Sequence, residues 1–139
     1  MSDRLLHFVL DSFALLAYLE NEAGAELVGE ILADAQQEEC RVLFSLINYG
    51  ECLYIVERER GLPAAQMLIG LIDQLPLVVV EPDRTHVFAA AHLKAHYPIS
   101  YADAFAVALA QQSQATLLTG DPEFAKVQHL VTVHWLPQN

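Results

Sequence analysis

Four carboxylates stand at positions from which they could do joint chemistry: Asp11, Glu51, Asp103 and Asp121. Asp11 closes the apolar run Leu5 to Leu10 and precedes Ser12 and a second apolar stretch, so it falls where a strand hands over to a helix. Glu51 lies on a helical segment whose same-face neighbours are Ile47, Asn48, Tyr54 and Ile55, an apolar company that a free carboxylate does not choose. Asp103 is the only charge between Lys94 and Asp121, at the mouth of an alanine-rich helix. Asp121 sits between Gly120 and Pro122, just after a short apolar strand. Each acid also has a plain structural account. Asp11 could be a helix cap, and Glu51 could pair with Arg41 or Arg58. Asp103 completes a capping-box spacing with Ser100, and Asp121 precedes a proline at a helix start. Taken together, however, two acids follow strands and two lie at or near helix starts, positions that a doubly wound sheet gathers along one edge.

Carboxylates brought together repel one another. An empty site of this kind carries raised pKa values and attracts a hard, oxygen-seeking cation, with Mg2+ or Mn2+ the best fit. Such an ion polarises a phosphoryl oxygen, acidifies a bound water and neutralises charge on a leaving oxygen, which makes phosphodiester hydrolysis the natural reaction.

The elements that must position these acids can be read from hydrophobic runs and turn residues. Strands are expected at Leu5 to Leu10, Val42 to Phe44, Leu77 to Val80, Thr116 to Leu118 and Val131 to Trp135. Helices are expected at Phe13 to Glu20, Ala25 to Gln37, from the Ser45 cap to Arg60, Pro63 to Leu75, from the Asp83 cap to His96, and Ser100 to Gln112. Gly61 ends one helix and Pro63 opens the next. Strand-then-helix order favours parallel strands with crossover helices, hence a three-layer α/β/α sandwich around a mainly parallel sheet of about five strands. Residues 1–139 read as a single domain without linker, repeat or low-complexity tract.

Composition narrows the classes. An apolar fraction of 54% and a mean hydropathy of +0.29 fit a well-filled core, not a disordered chain. Cys40 and Cys52 lie far apart and give neither a disulfide framework nor a zinc ribbon, so a reducing cytoplasm is the expected location. The stretch Leu5 to Leu19 is broken by His7 and Asp11 and preceded by Asp3 beside Arg4, which suits a strand and helix better than a leader, and no other run is suited to a membrane. Net charge is -11, with seven Lys and Arg against eighteen Asp and Glu. That balance opposes broad attraction to nucleic acid, unless bound divalent cations reverse the local sign or a partner chain supplies basic surface.

At the four acids the sequence resembles the PIN-domain family and, within it, the VapC-type toxins of bacterial toxin–antitoxin pairs. FVLDSFALLAYL is similar to the family's opening strand and first acid, SLINYGECLY to its helix-borne glutamate, YADAFAVALA to its third acidic motif and LLTGDPEF to its fourth. The likeness runs through nearly the whole length. It implies a PIN-like sandwich and Mg2+-dependent endonucleolytic cleavage of RNA. Metal ligation would be carried chiefly by Asp11 and Asp103, with Glu51 and Asp121 completing the site directly or through water. It gives Ser12 and Thr119 the part of hydroxyls that hold a phosphate, a water or a metal-bound carboxylate. It further implies a homodimer and inhibition by a cognate antitoxin that inserts a segment into the acidic groove. The shortage of Lys and Arg departs from what an RNA-cleaving protein leads one to expect.

Other signals carry less. His92 and His96 have zinc-like spacing, with His86 on the same helix, but no further ligand is placed nearby, and an exposed helix face accounts for them. Trp135 reads as a core or dimer contact, and Glu57 to Arg60 as a solvated helix end. A receiver domain needs adjacent acids after the first strand and a late lysine, and an aspartate-nucleophile phosphatase needs a second acid two residues after Asp11. Neither is present. The remaining rival is a non-catalytic PIN-like protein that keeps its acids but acts as a binding partner in a complex.

Overall fold

The computed structural model describes residues 5–138. Asp3 and Arg4, which bore on the leader question, lie outside them. In chain order the elements are β1 (Leu6–Leu10), α1 (Ser12–Leu19), α2 (Ala25–Gln36), β2 (Cys40–Ser45), α3 (Leu46–Arg60), α4 (Leu62–Asp73), β3 (Val78–Val80), α5 (Arg84–His96), α6 (Tyr101–Ser113), β4 (Thr116–Thr119), a 3-10 helix at Pro122–Val127 and β5 (Val133–Trp135). The five strands form one parallel sheet in the order β3-β2-β1-β4-β5.

Alternation along the strands distributes the core to both faces. Val9, Leu43 and Leu117 pack with Ala104, Val107 and Ala108 of α6 and with Ala90 and Leu93 of α5. Leu10, Phe44 and Leu118 point the other way, onto Leu15, Val28, Cys52 and Ile72 from α1 to α4. The small residues of α6 let that helix lie close to the sheet. Seven consecutive residues from Ala104 to Ala110 are buried.

The strands end level. Leu10 pairs with Phe44 on one side and Leu118 on the other, so Asp11, Ser45 and Thr119 follow side by side at the carboxyl edge. The strand order also reverses between β1 and β4. The chain moves outward through β2 and β3, then crosses back to the far side of β1. That switch point is where open α/β sheets form a crevice.

Helix ends follow the expected signals. Asp11, Ser45, Asp83, Ser100 and Asp121 each accept a backbone N–H as caps. Gly61, at φ +91, closes α3 and opens α4, a left-handed turn that a side chain rarely adopts. Boundaries shift in places. β2 begins at Cys40 rather than Val42, because its ladder with β1 already pairs Cys40 with Leu6. β5 starts at Val133 rather than Val131, where its pairing with Leu117 begins. The segment after Asp121 winds as a 3-10 helix, an element not foreseen beyond its start.

Candidate functional site

All four predicted acids line one cleft of about 590 Å3 at the carboxyl edge of the sheet. Asp11 is buried at its floor, only 2% exposed. Its position follows from the backbone: it is the residue after β1 and the cap of α1, so Oδ1 accepts the Ala14 N–H at 2.8 Å. Oδ2 accepts a short hydrogen bond, 2.5 Å, from the Thr119 hydroxyl at the end of neighbouring β4. The same Thr119 oxygen accepts the Asp121 N–H at 3.0 Å. One buried hydroxyl thus fixes the first acid and the backbone of the fourth. The Asp121 side chain caps the 3-10 helix by accepting from Glu123 N.

Asp103 enters from the first turn of α6. The Ser100 hydroxyl accepts its N–H at 3.0 Å, which is half of a capping box. The reciprocal bond from the Asp103 carboxylate to Ser100 N is absent among the described residues, and that carboxylate faces the cleft instead. Glu51 comes from α3. Neither alternative arginine pairs with it: among the described residues Glu51 makes no ion pair, and its one side-chain partner is the Tyr54 hydroxyl at 3.4 Å.

Electrostatics record the convergence. Burial, reinforced by the charges of Asp103 and Asp121, pushes the Asp11 carboxyl up to about 8, against the lowering effect of its bonds from Thr119 and Ala14. Asp103 is raised to about 6, first by burial and then by Asp121, Glu51 and Glu123. Four further acids, Glu20, Glu22, Glu59 and Glu123, rim the cleft, and every charged residue lining it is a carboxylate. The acids surround the space without clasping it. Among the described residues no three His, Cys, Asp or Glu side chains converge closely enough to enclose a single ion. That donor set fits a strongly hydrated divalent cation such as Mg2+, which keeps several waters and takes one or two carboxylates, better than one stripped of water in a protein cage.

Thr119 holds the Asp11 carboxylate, and Ser12 lines the same cleft beside it. Its hydroxyl donates to Asn48 O and accepts from Asn48 Nδ2, both at 3.2 Å. Asn48 is a residue that sequence reasoning passed over as a mere neighbour of Glu51. It is fully buried and also donates to Ala102 O at 3.2 Å, so one amide ties the starts of α1, α3 and α6, the helices that carry or follow Asp11, Glu51 and Asp103. Its Oδ1 has no partner. A polar residue three before Glu51 on its apolar face was the available signal.

The discounted features also find places. His86 is not simply exposed: its ring accepts from Asp83 N in a capping box. The His92 and His96 rings lie 4.6 Å apart, inclined at 60°, and no third ligand joins them among the described residues. Trp135 is 38% exposed on β5, and the solvated end of α3 contributes one ion pair, Arg60 to Glu20 at 2.7 Å.

Among the solved structures with a similar fold are toxin–antitoxin proteins. VapBC2 from Rickettsia felis, bound to a DNA fragment from their promoter, superposes with a TM-score of 0.73 at 16% identity, over 95% of this chain and 100% of that one. VapC20 from Mycobacterium tuberculosis, a Sarcin-Ricin loop cleaving toxin, gives 0.71 at 18%, over 94% and 99%. FitAcB from Neisseria gonorrhoeae gives 0.64 at 21%, over 91% and 95%. No curated protein matches by sequence. At these identities the likeness is one of fold. The sequence itself carries the affiliation: the PIN domain model matches residues 8–130, a span that includes Asp11, the helix-borne glutamate and both later acids, and the chain belongs to the PIN-domain family.

Proposed function

We propose that residues 1–139 form one PIN-like domain acting as a Mg2+-dependent endoribonuclease, the toxin of a type II toxin–antitoxin pair. The observation that carries this reading is the cleft at the sheet's switch point, where buried Asp11 lies close enough to Asp103 and Asp121 for their charges to raise its pKa. Asp11 and Asp103 would hold the metal, with Glu51 and Asp121 completing the shell directly or through water. When bound, Mg2+ or Mn2+ supplies a polarised phosphoryl oxygen, an acidified water and charge neutralisation on the leaving oxygen. Thr119 orients Asp11 by occupying Oδ2, and the Ser100 cap fixes the helix turn from which Asp103 projects.

RNA as substrate is supported by family membership and by the similar VapC20, named for cleaving the Sarcin-Ricin loop. An antitoxin partner is supported by the VapBC complexes and by an apolar groove beside the cleft. Leu19, Val56, Met67 and Leu71 line it, and it shares Leu16 and Glu20 with the acidic site. Homodimerisation is the family expectation, tested by light scattering. No helix among the described residues is long and apolar enough to cross a membrane, and the cytoplasm is the proposed location.

The excess of acids, eighteen Asp and Glu against seven Lys and Arg, favours a second reading, a PIN-like binding partner without catalysis. Titration of Mg2+ and Mn2+ into the wild type and Asp103→Asn, with RNA cleavage measured on the same samples, decides between them. Binding and cleavage lost together in the variant support the nuclease. Absence of metal binding by the wild type supports the partner.

A further inference from the structure

Among the described residues, every charged side chain lining the cleft that would receive a phosphodiester is a carboxylate, so affinity for a polyanion has to come from beside the acids. The chain has seven Lys and Arg in all. Arg60 is held by Glu20 at 2.7 Å and Lys126 by Glu123 at 2.8 Å. Arg58 makes no ion pair among the described residues. It lies seven residues after Glu51 on α3, two turns along nearly the same face and about 10 Å away along the axis. Glu57 and Glu59, its chain neighbours, turn roughly 100° to either side. Its guanidinium sits over the Tyr54 ring, 4.8 Å from the centroid, and the Tyr54 hydroxyl donates to Glu51 Oε2. Tyr54 is 48% exposed. One helix face therefore presents, in sequence, a site acid, a half-exposed aromatic ring and a guanidinium that makes no ion pair among the described residues.

We infer that Tyr54 and Arg58 form a docking platform for single-stranded RNA at the rim of the acidic cleft, the ring stacking a base and the guanidinium taking a backbone phosphate. The inference rests on the ribonuclease reading and supplies what that reading lacks, a grip on RNA. A guanidinium is weakly hydrated, and its planar fork matches phosphate oxygens, so one well-placed arginine serves where a broad basic surface is missing. Stacking on tyrosine accepts any base, because every base has a π-face. Tyr54 stands one helical turn after Glu51 on α3, a spacing that suits a strand whose neighbouring phosphate enters the cleft. Arg84 over Phe88 repeats the pairing on α5, at 4.8 Å, but α5 contributes no residue to the cleft, whereas α3 contributes Glu51, Ile55 and Glu59, the neighbours of Tyr54 and Arg58. It is an internal control of equal charge and chemistry.

The test uses the full chain and a short fluorescein-labelled oligouridine, with Ca2+ in place of Mg2+ to suppress cleavage, read by anisotropy over a range of salt. Arg58→Ala is expected to weaken binding about tenfold and to reduce the slope of log affinity against log salt by about 0.7, the signature of one lost phosphate contact to a single strand. Tyr54→Ala is expected to weaken it about tenfold, Tyr54→Phe to bind as wild type, and Arg84→Ala to bind as wild type. Wild-type binding by Arg58→Ala and Tyr54→Ala would overturn the platform, and so would a tenfold loss in Arg84→Ala, which would mean that bulk charge alone matters. If those two variants keep RNA but lose a co-purifying protein partner, the surface belongs to that partner and the inference falls. A wild type that binds no RNA in either metal overturns the ribonuclease reading together with the platform, whereas RNA bound equally by all variants overturns the platform alone.

Discussion

Replacing Asp11 with asparagine should stabilise the metal-free protein, by an amount that grows with pH. In the fold, burial lifts the Asp11 carboxyl to about 8, against an ordinary value of 3.8 in an unfolded chain. Below about pH 4 both states hold the proton. Between about 4 and 8 the unfolded chain has released a proton that the fold still retains. The stability contributed by the protonated form is therefore full at low pH and is lost as pH rises through the folded value, at about 1.4 kcal/mol per pH unit. The whole loss has an upper limit of about 6 kcal/mol, a large share of a typical domain's stability. Asparagine keeps an oxygen to accept the Ala14 N–H but has no proton to surrender. Urea denaturation followed by circular dichroism in EDTA, at pH values from about 5 to about 9, should show the variant and wild type diverging up to about pH 8 and running parallel above it. Saturating Mg2+ should remove the divergence in the wild type, since a cation selects the ionised carboxylate. Parallel curves across the whole range in EDTA would refute the reasoning and place Asp11 in a solvated or charge-compensated setting.

Three further outcomes follow from the same geometry. Thr119→Val deletes a donor to buried Asp11 and an acceptor for Asp121 N, and should cost about 1–3 kcal/mol by denaturant titration while weakening Mg2+ binding in calorimetry. Asn48→Ala removes the amide that joins three helix starts and should cost about 1–2 kcal/mol in the same measurement, a modest figure because the unpartnered Oδ1 leaves with it. At Gly120 an added Cβ would lie 2.5 Å from the Phe13 ring, so Gly120→Ala should displace that cleft-lining ring and cost about 1–3 kcal/mol, seen as a lower Tm.

The sequence makes legible those features whose causes are local. Leu5 to Leu10 declares a buried strand, Ser45, Asp83 and Ser100 declare helix starts, and Gly61 with Pro63 declares a break, because each acts through its immediate neighbours. The four acids stand out for a similar reason, since each interrupts a run that would be simpler without it. What cannot be read is set by strand order and packing. Nothing near Asp11 announces that β4 will lie beside β1, so the hydrogen bond from Thr119 spans 108 residues unannounced. The resemblance, not the spacing, drew attention to Thr119. Asn48 is hidden because its partners, Ser12 and Ala102, lie 36 and 54 residues away. Arg58 looked like a partner for Glu51, but the guanidinium lies over the Tyr54 ring and leaves the carboxylate to the tyrosine hydroxyl.

The bond between Thr119 and Asp11 also bears on when the cleft comes into being. A chain made from its amino end releases β1, with Asp11, well before β4. Until β4 docks against β1, Asp11 lacks Thr119, Asp121 has no fixed place, and one wall of the cleft does not exist. A nascent chain that has not yet released β4 therefore carries the first acids without the site they form. The arrangement confines the assembled cleft to chains in which β4 has been made, a delay written into strand order.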